Sequence, residues 1–171
     1  MMRKIIMFLL ISTLLVISFG CASDVSEDQS SELPNPIRQS SYDEILETLG
    51  MTLKVPEDAE NVIYQIIDVE EETPIAEVKF RKGQTNCTYR VRSTAEPEDI
   101  TGAYYDWTVT KEIEISYCSG EISYIEGKEG ICLWYDTVPG LMYSIFVDMD
   151  ASEDLLLEIA NDVYIPAEDA N

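Results

Sequence analysis

Residues 75–92 read IAEVKFRKGQTNCTYRVR, and this stretch decides the fold. Ile75–Arg81 and Cys87–Arg92 carry the period-two pattern of β-strands, and Lys82-Gly83-Gln84 between them is a hairpin signal. With that period Lys79 and Arg81 share a face of the first strand, and Arg90 and Arg92 share a face of its neighbour. Upstream, Val62–Val69 continues the period, with Val62, Tyr64 and Ile66 on one side and Ile63, Ile67 and Val69 on the other. Thr52–Val55 reads as a short strand closed by Pro56. Downstream, a loop from Ser93 to Asp106 holds Pro97 and Gly102. Strands are then predicted at Trp107–Tyr117, Glu121–Ile125, Ile131–Tyr135 and Leu141–Val147, punctuated by Ser119-Gly120, Gly127 and Pro139-Gly140.

A helix stands at either end of this run. Ser41 and Glu44 have capping-box spacing, Tyr42, Ile45, Leu46 and Leu49 follow at helical spacing, and Gly50 sits at the C′ position. Near the C-terminus Asp150 is the expected N-cap, and Leu155, Leu156, Ile159, Ala160 and Val163 make an apolar face. The expected fold is therefore α+β. It is a curved antiparallel β-meander of about seven or eight strands, flanked by an N-terminal and a C-terminal helix packed on one side. In the last two strands both faces are apolar: Ile131, Leu133 and Tyr135 against Cys132 and Trp134, then Tyr143, Ile145 and Val147 against Met142 and Phe146. A sheet wet on one side would alternate with polar residues, so something must cover the second face, or part of it lines an apolar cavity.

Composition narrows the function classes. The chain has 171 residues, 11 Lys plus Arg against 33 Asp plus Glu, no His and a net charge of −22. So few cations exclude a nucleic-acid partner, because phosphate contacts need clustered Lys and Arg. Lack of His removes the commonest general base and metal ligand, and no nucleophile elbow, P-loop or dinucleotide-binding glycine motif is present. No cofactor is expected. Asp148 to Asp154 places carboxylates at alternate positions, but Glu153 and Ile159 stand where a calcium loop needs Gly and Glu, and helix capping explains the same residues. Glu70-Glu71-Glu72 before Thr73-Pro74 reads as a solvated turn.

The N-terminus reads as an address. Met1-Met2-Arg3-Lys4 precedes the apolar run Ile5–Ser18, which is the layout of a secretory signal peptide. Ser18-Phe19-Gly20-Cys21 resembles the bacterial lipobox, with Ser18 where Leu is usual, and makes Cys21 the expected site of lipidation by diacylglycerol and an acyl chain such as palmitate. The alternative is ordinary cleavage and secretion. Loss of residues 1–20 would take the net charge from −22 to −24 by removing Arg3 and Lys4. Residues 21–36 read as a flexible acidic tether, 37–165 as a single domain and 166–171 as a tail.

Two sets of residues remain as candidate sites. In an exported protein Cys118 and Cys132, the pair closest in sequence, are the candidate disulfide, although Cys87, Cys118 and Cys132 would serve equally as small buried hydrophobes. Lys79, Arg81, Arg90 and Arg92 form a small positive patch on a negative body. It could dock an anionic ligand or partner, or simply balance Glu77 and other acids across strands.

Asn35-Pro36, Leu49-Gly50, Leu53-Lys54-Val55-Pro56 and Tyr89-Arg90 are followed by Asp99-Ile100-Thr101-Gly102 with Tyr104-Tyr105, Gly127 to Trp134, Tyr143-Ser144-Ile145 and Ser152-Glu153-Asp154. In this order the stretches together resemble a family of small clostridial-type lipoproteins built on a domain of unknown function. The resemblance spans about residues 35–163, with extra residues around Tyr117–Ser119 and Thr137–Leu141. It implies no catalytic residues. Related domains form extracytoplasmic parts of anti-sigma-like membrane proteins, which implies sensing or protein binding. The expected function is a non-enzymatic, membrane-anchored extracytoplasmic module at the bacterial cell envelope that binds an envelope protein or a small ligand. The rivals are a carboxylate-dependent cell-wall or glycan hydrolase and a purely structural envelope protein.

Overall fold

The computed structural model describes residues 35–166. The expected signal peptide, Cys21, most of the tether and the tail beyond Pro166 lie outside the described residues. Eight strands build one antiparallel sheet: β1 (Ile37–Ser40), β2 (Glu60–Ile67), β3 (Ile75–Lys82), β4 (Thr85–Ser93), β5 (Val109–Ile115), β6 (Cys118–Tyr124), β7 (Gly130–Asp136) and β8 (Leu141–Val147). Helix α1 (Tyr42–Leu49) follows β1 and helix α2 (Glu153–Val163) follows β8. The α+β class with a helix near each end is as the periodicity predicts.

Spatial order is β1-β2-β3-β4-β8-β7-β6-β5. Two four-stranded meanders thus lie side by side and meet where β4 pairs with β8, with Tyr89 opposite Ile145. Residues 94–108 carry the chain from the centre of the sheet to its far edge; we call them the crossover.

Local chemistry explains most boundaries. The β3–β4 turn is two residues, with Lys82 opposite Thr85 and Gly83 at φ 63°, the positive first position that a type II′ turn needs. In α1 the Ser41 side chain accepts from the Glu44 amide at 3.2 Å, as expected, and the Gly50 N–H donates to Leu46 O. In α2 the cap is Ser152 rather than Asp150: its side chain accepts from the Leu155 amide at 3.2 Å, while Asp150 forms the preceding turn at φ 58°. The expected strand at Thr52–Val55 does not form. Both edges of β2 are already taken, by β1 and β3, so this segment has no ladder to join. It places Met51 and Leu53 in the core instead.

The expected break at Ser119-Gly120 also moves. The β5–β6 turn is Ser116-Tyr117, with Ile115 opposite Cys118, and Gly120 lies inside β6. Glycine is needed there because a Cβ would come within 2.5 Å of Leu133 O and 3.0 Å of Trp134 Cβ. That space lets Trp134 lie flat in the core.

The inner face of the sheet carries the main core, under the two helices. Trp134 stacks on Tyr143 with centroids 5.1 Å apart, and Tyr89 lies parallel to both at 6.3 and 6.4 Å. Tyr164, the C-cap of α2, meets Trp134 and Tyr143 edge-on. Each such aromatic pair adds about 0.5–1.5 kcal/mol to what its buried area supplies. A smaller cluster of Ile67, Ile75, Ile100 and Met142 sits on the outer face, where Ile100 of the crossover is the lid. Thus the second apolar face foreseen for β7 and β8 is partly covered by a connection, not by another sheet.

Candidate functional site

The inner face is filled, so the outer face is where a ligand could meet the sheet. The strand registers put one row of side chains across it, in the order Gln65, Glu77, Arg90, Ser144, Leu133, Glu121, Glu112.

On the β3–β4 side the row is closed. Glu77 is fully buried and accepts from Arg90 Nε at 2.7 Å, and Lys79 Nζ lies 3.3 Å from its other oxygen. Arg90 Nη1 donates to the carbonyls of Ile100 (2.9 Å) and Thr101 (2.5 Å), which seats the crossover on the sheet. A Cβ at Gly102 would come within 3.2 Å of that same nitrogen. Asp99 stiffens the bend by accepting from the Thr101 amide (2.8 Å) and hydroxyl (2.6 Å). Arg92 holds Glu72 and Thr73 on one side and lies 3.3 Å from Glu98 on the other. Arg81 pairs with Glu60.

The four cations singled out in the sequence share the outer face of β3 and β4, with Arg81 and Arg92 at opposite ends of the hairpin, and do not form an open positive patch. Each is paired with an acid, and the Arg92 side chain is only 9% exposed. Arg90 and Arg92 form the lock that holds the crossover down, with Lys79 beside Glu77, whereas Arg81 pairs with Glu60 of β2. Two of the quoted stretches, Tyr89-Arg90 and Asp99 to Gly102, prove to touch each other through this lock.

Past Ser144 the covering ends. A groove of about 850 Å³ opens between the start of the crossover and the outer face of β5, β6 and β7. Leu133, Tyr135 and Met142 give it an apolar floor, Pro97, Glu98 and Asp99 one wall, and Glu112, Glu114 and Glu121 the other side. Tyr135 fixes the wall by donating from its hydroxyl to the carbonyls of Thr94 (3.1 Å) and Ala95 (3.2 Å). Glu112 lies directly opposite Glu121 in the β5–β6 register. Among the described residues neither they nor Glu114 form an ion pair; Glu121 accepts only from the Ser123 hydroxyl, at 3.3 Å. The cation of β5, Lys111, faces the other side of the sheet and binds Glu153 of α2. Sequence reasoning missed these three glutamates. The Glu112/Glu114 alternation in KEIEI shows that they share a face, but only the register brings Glu121 to them.

Among the described residues no disulfide joins the cysteines. Cys118 and Cys132 share the inner face, but Ile122 is the residue opposite Cys132, four positions from Cys118. Four residues along a strand is about 13 Å, against the ~4.4–6.8 Å that a disulfide allows between Cα atoms. The candidate bridge is thus corrected to three buried free thiols. Burial pushes the Cys87 thiol up to about 12 and raises Cys118 and Cys132 as well, so none is a ready nucleophile. Cys118 belongs to a buried polar clasp: Asp136 accepts from Tyr164 (2.7 Å), Tyr117 (2.9 Å) and the Val138 amide (3.0 Å), and Cys118 Sγ lies 3.1 Å from the Tyr164 hydroxyl. That clasp ties the end of α2 to β7.

Among the described residues no group of three or more His, Cys, Asp or Glu is arranged to hold a metal ion, and no helix is long and apolar enough to cross a membrane. No family model, curated protein or solved structure matches the chain.

Proposed function

We propose that this protein is a non-enzymatic binding or sensing module, tethered through Cys21 to the outer side of a bacterial cell membrane, and that its ligand enters the outer-face groove. The lipobox-like start and the resemblance to small clostridial-type lipoproteins support the tether. The groove carries the binding part. It joins an apolar floor to polar walls, which is the usual make-up of a ligand site. Its wall is held by Tyr135, Arg90 and Arg92, so the site is formed before any ligand arrives.

One observation favours the hydrolase rival: carboxylates line both sides of the groove. Yet Asp99 is spent on the crossover bend and Glu98 on Arg92. The pair in register, Glu112 and Glu121, approaches from a single side. Paired-carboxylate hydrolysis needs its acids to flank the scissile bond.

Thermal-shift titration of the full chain in detergent with basic, acidic and neutral oligopeptides, beside the groove-filling variant Ser119→Trp, tests the reading. A stabilising probe whose effect disappears in the variant is the expected result. Cleavage of cell-wall fragments that is lost in Glu121→Gln would replace binding by hydrolysis.

A further inference from the structure

We infer that the groove receives a basic peptide segment of a partner protein, one in which Lys or Arg side chains flank an aliphatic or aromatic residue; this rests on the binding-module reading above. The argument begins with a local conflict. Like charges directly opposite on paired strands are unfavourable, and the sheet avoids them elsewhere in the same row, where Glu77 faces Arg90. Glu112 nevertheless faces Glu121, with Glu114 next on the same face, and none forms an ion pair among the described residues. Conflicts of this kind are expected where a site is kept for a ligand rather than for the fold. A bound ammonium or guanidinium group would remove this one.

Charge alone would suit any cation, and the floor narrows the class. Leu133 and Met142 lie beside the carboxylates, and Tyr135 turns its hydroxyl to the crossover carbonyls, so its ring is left to the groove. A fully hydrated small cation would leave that apolar surface wet. A volume of about 850 Å³ fits a short run of side chains. The surrounding charge of −22 would steer a basic segment inward and speed its encounter.

The test is fluorescence anisotropy of the full chain in detergent with the labelled heptapeptide Lys-Leu-Lys-Phe-Lys-Leu-Lys. Binding should weaken several-fold on raising salt from about 50 to about 200 mM. It should fall at least about tenfold in Glu112→Gln/Glu121→Gln. The control Glu70→Gln/Glu71→Gln removes the same charge from an exposed turn and should leave affinity unchanged. Equal loss in the control, equal binding of the peptide with Glu for Lys, or full competition by spermidine at equal concentration would each overturn the basic-peptide assignment. A Gln-for-Lys peptide that binds better and is lost in Ser119→Trp would sink this inference and leave the binding module standing. Failure of every peptide to respond to Ser119→Trp would sink both. The melting temperature of Glu112→Gln/Glu121→Gln, expected at or above that of the parent, guards against misfolding.

Discussion

At one end of the outer-face row a glutamate meets an arginine; at the other a glutamate meets a glutamate. Glu77 is fully buried, doubly paired, and helps pin the crossover through Arg90. Glu112 and Glu121 occupy the same row in the other meander, stay exposed and find no cation among the described residues. The sheet geometry is the same at both ends. The difference is where the chain spends its few basic residues: Lys79, Arg81, Arg90 and Arg92 lie on the outer face of β3 and β4, whereas Lys111, the single cation of β5 and β6, faces the inner side. One half of the outer face is thereby locked and the other half left open.

Breaking the locked half should have the largest effect. Arg90→Ala leaves the buried Glu77 carboxylate with only the half-exposed Lys79 as partner and frees two crossover carbonyls, so it should cost about 3–5 kcal/mol in urea unfolding. Removing both charges in Glu77→Leu/Arg90→Leu should recover most of that loss. A double variant no more stable than Arg90→Ala would mean that the pair is not the element that matters.

The inner face supplies a pH contrast that involves neither half. Burial raises the phenols of Tyr89, Tyr143 and Tyr164, so the unfolded chain loses those protons first, near pH 10. Lys82 is raised by its hydrogen bond to Asp58 and by Glu158, and its contribution is whole below about pH 10.5 and lost above it. Both signs agree: melting temperature should hold through neutral pH and fall above about pH 10. Tyr164→Phe should shallow the fall. At pH 8, where the fold holds, the three buried thiols should stay silent to an aromatic disulfide reagent and react once the chain is unfolded.

Next in size comes Arg92→Ala, which frees Glu98 and Glu72 and should cost about 1–3 kcal/mol. It should also speed amide exchange within residues 94–100 more than in β6 or β7. The smallest effect has the opposite sign. Glu112→Lys turns the like pair into an attractive one and should stabilise by about 0.2–1 kcal/mol, while abolishing binding of the basic peptide. A stability gain with a loss of binding is the signature that separates a site glutamate from a structural one.

Much of this was legible in the sequence, and the failures have physical causes. Period-two patterning located the β3–β4 hairpin and the last strands because each has a buried inner face. β1 was hidden because Ile37-Arg38-Gln39-Ser40 has no periodic signal and exists only through its ladder with β2. The Ser119-Gly120 turn was misread because glycine there answers to a tryptophan on the next strand, not to a bend. Strand order lay beyond any local pattern, since β4 and β8 meet only in the fold. At the site the rare cations drew attention, yet rarity in an acidic chain marks where pairing is needed. The open glutamates were invisible among 33 acids.

The seam between the two meanders also sets the order in which this sheet can be finished. Its central ladder joins residues roughly fifty positions apart, so closing it demands a long loop of ordered chain first. Until β8 exists, β4 presents a long unprotected edge with Cys87, Tyr89 and Val91 on one side of it. A half-made molecule therefore carries an adhesive strand at what will become its centre, where a second nascent chain could pair in place of its own. Completion of the C-terminal half is thus the step at which pairing with a second chain competes directly with folding.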